Sequence, residues 1–184
     1  MIETENTPNP DTLKFLPGKK VSEIGPVQFL KNDQNIKIPL AKKILSIEGT
    51  VMVFFGEDFI TVKKEKKLNW KDLKHGIISE INHYYSEGND VILKKIITNK
   101  VKDKSSAQSN DTIMKINEIL DTKIRPAVAR DGGDIKFKSF KDGVVKVELK
   151  GSCSGCPSST MTLKRGVQNL LCHYIPEVKS VEAN

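Results

Sequence analysis

Asp142–Pro157 reads DGVVKVELKGSCSGCP. Asp142-Gly143 is a tight-turn pair of the kind that joins two antiparallel strands. After it, Val145, Val147 and Leu149 alternate with Lys146, Glu148 and Lys150, the period of a strand with one buried face. Upstream, Ile135 and Phe137 show the same alternation, so the stretch predicts a β-hairpin. Cys153 and Cys156 follow its second strand directly. Pro157 suits the first position of a helix, which makes Cys156 the N-cap. Leu163, Val167, Leu170 and Tyr174 then form the expected buried stripe, and Pro176 ends the helix.

Further upstream, Ile113, Ile116, Leu120 and Ile124 recur at helical spacing, with Asp111 as the expected cap. Pro126 should break or kink that helix, since its ring crowds the preceding turn and offers no N–H. Gly132-Gly133 supplies the reversal into the hairpin. Asp131 and Asp134 on either side read as structural, bonding to nearby backbone N–H groups, although two carboxylates at that spacing also suit a metal. Arg125 is expected to form a fixed ion pair or to stack near the cysteine loop.

Asn99–Asp111, NKVKDKSSAQSND, has little to bury and reads as a linker. It divides the chain into residues 1–98, a flexible 99–110 and 111–184. The first piece looks α/β. TLKFLPGKKV is a strand broken at Pro17-Gly18, and PLAKKILSIEG frames a short helix between Pro39 and Gly49. TVMVFFGEDFITVKKE is a hairpin around Gly56-Glu57-Asp58, and Asn69 to Gly88 is a helix with Leu73, Ile77, Ile81 and Tyr84 on one face. His75 and His83 fall on or beside its polar side and read as solvated. The fold class expected is α+β: two small α/β domains, the second a helix–antiparallel hairpin–helix with its Cys-x-x-Cys loop at a helix N-terminus.

The chain of 184 residues is 38% hydrophobic and 29% charged, the balance of a soluble globular protein. Its formal net charge of +7 is split as +4 over residues 1–110 and +3 over 111–184. Positive charge spread in this way does not form the basic stripe of a nucleic-acid binder, so neither nucleic acid nor membrane is expected as a partner. MIETENTPNPDT at the start has no basic or apolar run of a secretory signal and no Arg-rich transit character. The expected location is the bacterial cytoplasm, or the mitochondrial matrix of a eukaryote whose targeting segment has been removed. Three cysteines are too few and odd in number for a disulfide framework, which fits a reducing compartment.

Two cysteines three positions apart direct both sulfurs at one centre, and the helix N-terminus favours thiolates there. Zinc needs four protein ligands. Cys172 lies 16 residues beyond Cys156, about 24 Å along a continuous helix, so a closed site within one chain is disfavoured. Thioredoxin-like thiol–disulfide exchange suits the motif, but wants a βαβ unit upstream where an antiparallel hairpin is expected. A third use is an iron–sulfur cluster, which typically takes four thiolates; two chains related by a two-fold axis supply them. The pair could also be inert.

IRPAVARDGGDIKF, VVKVELKGSCSGCPSSTMTLKRGVQNLL and IPEVKSV together resemble the C-terminal domain of the NifU-like (Nfu) iron–sulfur carriers over essentially all of residues 111–184. TPNPDTLKF and IEGTVMVFFGEDFITV resemble the Nfu N-terminal domain. The resemblance implies a non-enzymatic scaffold or carrier. It implies a [4Fe–4S] cluster bridging two subunits through Cys153 and Cys156, with a [2Fe–2S] form also open. It implies apo iron–sulfur client proteins and upstream assembly proteins as partners. It gives Cys172 no ligand role. Full-length NifU has further cysteine-bearing domains that this sequence lacks, which favours a general carrier.

Overall fold

The computed structural model describes residues 1–94 and 107–183. Most of the stretch read as a linker therefore lies outside the described residues. Its last residues, 107–110, already belong to a helix, so Asp111 sits inside that helix and does not cap it.

The first unit is a five-stranded antiparallel sheet with two helices. Its elements are β1 (Glu3–Asn6), β2 (Thr12–Leu16), β3 (Val27–Leu30), α1 (Pro39–Ser46), β4 (Thr50–Phe55), β5 (Ile60–Lys64) and α2 (Trp70–Ser86). The strands lie in the order β1-β2-β5-β4-β3, so the predicted β4–β5 hairpin occupies the middle. Pro39 opens α1, and α2 starts after Asn69 and stops before Gly88, whose φ is +84°. Side chains alternate across a strand. Leu13, Phe15, Val53, Phe55, Ile60 and Val62 therefore share one face, where they pack on Leu40 and Ile44 of α1 and on Leu73, Ile77 and Ile81 of α2. The sequence reading missed β1, a polar edge strand reading ETEN, and β3, four residues paired only through β4.

The second unit runs α3 (Ala107–Ile119), a π turn (Leu120–Ile124), α4 (Arg125–Arg130), β6 (Gly133–Lys141), β7 (Val144–Gly151), α5 (Pro157–Tyr174) and β8 (Ser180–Ala183). The π turn is the outcome of Pro126. Its ring would crowd the carbonyl four residues back, and a wider turn relieves that crowding without ending the helical path. Asp142 and Gly143 have φ of +52° and +82°, the two left-handed positions of a tight hairpin turn. The strand β8, also missed in the sequence, returns after α5 and pairs parallel to β7, completing a three-stranded sheet. Its core joins Ile116, Leu120, Ile124 and Val128 to Ile135, Val145, Val147 and Leu149, with Val167, Leu171 and Ile175 from the last helix and its end. The buried stripe of α5 thus turns toward Leu171 and away from Tyr174, which is half exposed and lies under Lys123.

The other face of the first sheet carries Met52 and Phe54, with Phe59 of the β4–β5 loop beside them. These three form a small buried cluster with Ala129 of α4 packed against it. The two units are therefore docked, with the first sheet covered on both faces.

Candidate metal centre

The cysteine loop begins where β7 ends. Gly151 stands opposite Gly133 in the β6–β7 ladder and has φ +70°. A Cβ on Gly151 would come within 2.6 Å of the Gly132 carbonyl oxygen, so both conformation and space demand glycine. The chain then passes through Ser152, Cys153, Ser154 and Gly155, also at positive φ, to Cys156, the extended N-cap of α5. The Ser154 N–H donates to Gly151 O at 3.2 Å. The Thr160 hydroxyl donates to Cys153 O at 3.2 Å, and the Thr160 N–H to Cys156 O at 2.9 Å. These bonds tie the loop to the first turn of the helix, as the capping position predicts.

Cys153 is 6% exposed and Cys156 is half-buried. Both line one open groove of about 570 Å³ with Glu148, Leu149, Ser154, Gly155, Thr160 and Met161. The floor beneath Cys153 is Gly133: a Cβ there would stand 2.8 Å from the Cys153 sulfur. Glycine at this position keeps room for the sulfur, so the donor set fits a soft metal centre entering from the groove.

The electrostatics correct one expectation. Burial pushes the Cys153 thiol above its ordinary range; the Ser152 hydroxyl, 3.9 Å from the sulfur, opposes this, and the carboxylates of Asp131 and Asp134 and the neighbouring Cys156 add to it. Burial thus works against the thiolate that the helix N-terminus favours at Cys153. Desolvation wins at that sulfur, and its proton must leave when metal binds. A buried neutral thiol is also a poor nucleophile for disulfide exchange.

Among the described residues Asp134 bonds Arg125 rather than the backbone N–H groups expected. It is 4% exposed and takes a two-pronged ion pair from Arg125, with Nε to Oδ1 at 2.9 Å and a terminal nitrogen to Oδ2 at 3.1 Å. Arg125 also reaches Asp121 at 3.0 Å. The pair braces α4 against the start of β6, under the reversal that carries Gly133. Asp131 offers its backbone carbonyl to the Ser152 hydroxyl.

Cys172 is half-buried at the edge of the second core and is not brought to the pair. His75 and His83 are exposed on α2 of the other unit. Among the described residues, no three His, Cys, Asp or Glu side chains are placed to hold a metal together. The sequence reading did not foresee Asn9, Gln28, Thr61 and Lys63 of the first unit, which reach the loop's backbone from behind. For Gln28, Thr61 and Lys63 the one signal is polarity at sheet positions, which also describes any solvent-facing strand, and Asn9 lies in the connection between β1 and β2.

Residues 116–182 match the family described as "NifU-like domain", and residues 2–88 the one described as "Scaffold protein Nfu/NifU N terminal". The human "NFU1 iron-sulfur cluster scaffold homolog, mitochondrial" is 44% identical over 182 residues, covering 98% of this chain and 70% of that protein. The chain belongs to the Nfu family of iron–sulfur cluster scaffolds. "NifU-like protein 4, mitochondrial" of Arabidopsis thaliana is 45% identical over 183 residues, covering 98% of this chain and 65% of that protein. The Nfu chain thus spans about two-thirds of the length of the curated relatives it matches. A NifU-like protein of Saccharomyces cerevisiae, solved in solution, overlays with a TM-score of 0.47 at 25% identity, covering 52% of this chain and 86% of that one. These Nfu relatives are named as scaffolds or NifU-like proteins, not as enzymes. Among the described residues, no helix is long and apolar enough to cross a membrane.

Proposed function

We propose that two copies of this chain hold one [4Fe–4S] cluster between them, each giving Cys153 and Cys156, and pass it to apo-proteins. The observation that supports this reading is that Cys153 and Cys156 line one open groove and Cys172 does not. An iron–sulfur cluster typically takes four thiolates, and a two-fold axis through the groove doubles two into four. Loading releases the thiol protons. Handing over exchanges each iron–sulfur bond to the carrier for one to a client thiolate, after which the carrier sulfurs take protons back. A cluster at an open edge suits transfer better than storage. The partners are a second copy, the assembly proteins that load it and the client proteins that receive the cluster. The mitochondrial names of its relatives favour the mitochondrial matrix as its place of work.

Anaerobic reconstitution with iron and sulfide tests this, with iron counts, optical and Mössbauer spectra and size exclusion on one sample. The expected result is about one four-iron cluster per two chains. Cys153→Ser and Cys156→Ser lose it and Cys172→Ser keeps it. Iron lost in Cys172→Ser but retained in Cys153→Ser would overturn the assignment.

A further inference from the structure

Three side chains of the first unit reach the cysteine loop, a fourth reaches Gly132 O, which also accepts the Ser152 N–H of the loop, and all four meet backbone. The Thr61 hydroxyl donates to Gly132 O at 2.8 Å. The Gly151 N–H donates to Gln28 Oε1 at 2.8 Å. Asn9 Nδ2 donates to Ser152 O at 3.2 Å, and Lys63 Nζ to Ser154 O at 3.4 Å. The positions gripped lie on both sides of Cys153 and under it.

Two further observations give these contacts a purpose. Asn9 and Thr61 are 4% and 0% exposed, so each buries a polar group that is costly unless it is bonded. Asn9 is itself held, its Oδ1 accepting the Asp11 N–H at 3.1 Å, which leaves its amide nitrogen aimed at the loop. The groove that holds both cysteines, by contrast, is lined wholly by the second unit. The first unit therefore grips the loop from behind and leaves the sulfur-bearing front open to a second copy.

We propose that the outer face of the first sheet, together with the β1–β2 connection that carries Asn9, is a positioning surface for the cysteine loop, with Gln28, Thr61 and Asn9 as positioning residues. They hold Gly132, Gly151 and Ser152 so that Cys153 and Cys156 already share one groove when iron arrives. Glycines at 151 and 155 would otherwise let the loop sample many conformations, and ordering it beforehand strengthens ligation without a new metal contact. The inference rests on the reading of Cys153 and Cys156 as the cluster ligands.

The test uses the full chain with Gln28→Leu, Gln28→Glu and the double variant Gln28→Leu/Thr61→Val. Gln28→Glu keeps an acceptor oxygen for the Gly151 N–H; Gln28→Leu does not. In metal-free protein, amide hydrogen exchange at Gly151 should quicken about fivefold to tenfold in Gln28→Leu, the scale of one lost hydrogen bond. Exchange in α2 should stay unchanged, and Gln28→Glu should remain within about twofold of the parent. In reconstituted protein, iron loss to a chelator should quicken on the same scale, more in the double variant, with iron per chain at loading unaltered. Unchanged exchange and unchanged iron loss would overturn the proposal, as would slower iron loss, which would mean that the contact opposes binding. If the double variant fails to fold, the single variants decide. If the parent itself takes up no iron, the cluster reading fails, and exchange at Gly151 alone then supports or overturns the positioning role.

Discussion

The two faces of the first sheet obey different rules. The inner face is apolar at its centre, where Phe15, Val53, Phe55, Ile60 and Val62 meet the helices of their own unit, and its buried polar residues, Thr50 and Lys64, bond within that unit, to Ile44 O and to Asp11. The outer face is mixed. Met52, Phe54 and Phe59 form its apolar centre, and the buried polar residues Thr12, Lys14 and Thr61 stand around them. Lys14 there bonds Glu5 at 3.2 Å, reaches Arg130 O at 3.4 Å and lies over the Phe59 ring. Thr61 and Lys14 bond Gly132 O and Arg130 O of the second unit, as the polar rim of an interface does, whereas Thr50 and Lys64 bond groups of their own unit, as buried polar groups of a core do. The inner face makes the unit fold, and the outer face makes it recognise something, here the loop that bears Cys153.

Adjacent residues of β4 put this contrast to its strongest test. Phe55 points inward and Phe54 outward, and both are fully buried. Phe55→Ala should cost about 3–5 kcal/mol and destabilise the first unit itself, read as a lowered urea midpoint with loss of protection in α2. Phe54→Ala should cost somewhat less, about 2–3 kcal/mol, because undocking lets water reach the vacated space. Its signature should be lost protection at Gly151 and Ser152 with α2 still protected. If the two variants gave the same exchange pattern, the sheet would have two cores and no interface.

A second, smaller effect concerns the sulfur behind which the outer face sits. Burial raises the Cys153 thiol above its ordinary range. A thiol whose folded pKa exceeds its unfolded one stabilises the fold below the unfolded value, and that contribution is lost as pH rises toward the folded one. Metal-free protein should therefore lose stability above about pH 8.5, the ordinary thiol value. Cys153→Ala should remove that part of the loss. Urea midpoints from pH 7 to 10 in reductant, parent against variant, measure it. Parallel curves for the two would mean that Cys153 is not desolvated in solution.

The same contrast explains what could be read in the sequence. The β4–β5 and β6–β7 hairpins, α1, α2 and the turn into α5 are written in local signals: alternation, proline at helix starts, glycine at stops. The cysteine loop was legible for the same reason, since Gly151, Cys153, Gly155 and Cys156 act over a few residues. The short strands β1, β3 and β8 were not, because each exists only through a partner remote in sequence or, for β1, on an edge that tolerates polar residues. The burial of Cys153 was not legible because helix-end charge is local and desolvation is tertiary. Thr61 and Gln28 were not legible, Thr61 because alternation gives a face its polarity without naming what covers it, and Gln28 because its strand β3 was itself missed.

The smallest effect separates the two faces by their hydroxyls. On the outer face Thr61 is fully buried and bonded to Gly132 O at 2.8 Å. Tyr85 packs against the inner core, and its buried hydroxyl finds no hydrogen-bond partner among the described residues. Burial raises its pKa to about 12, with Tyr84 adding a smaller push. Removing the Thr61 hydroxyl loses one of two hydrogen bonds to Gly132 O, which keeps the Ser152 N–H at 3.2 Å, whereas removing an unbonded hydroxyl relieves a desolvation cost. Thr61→Val should thus cost about 1–2 kcal/mol, although it keeps the side-chain volume. Tyr85→Phe should be neutral or stabilising by up to about 1 kcal/mol. Paired urea titrations at pH 7 suffice. A loss on Tyr85→Phe as large as that on Thr61→Val would mean that the Tyr85 hydroxyl is bonded in solution, and the contrast between the two hydroxyls would fall.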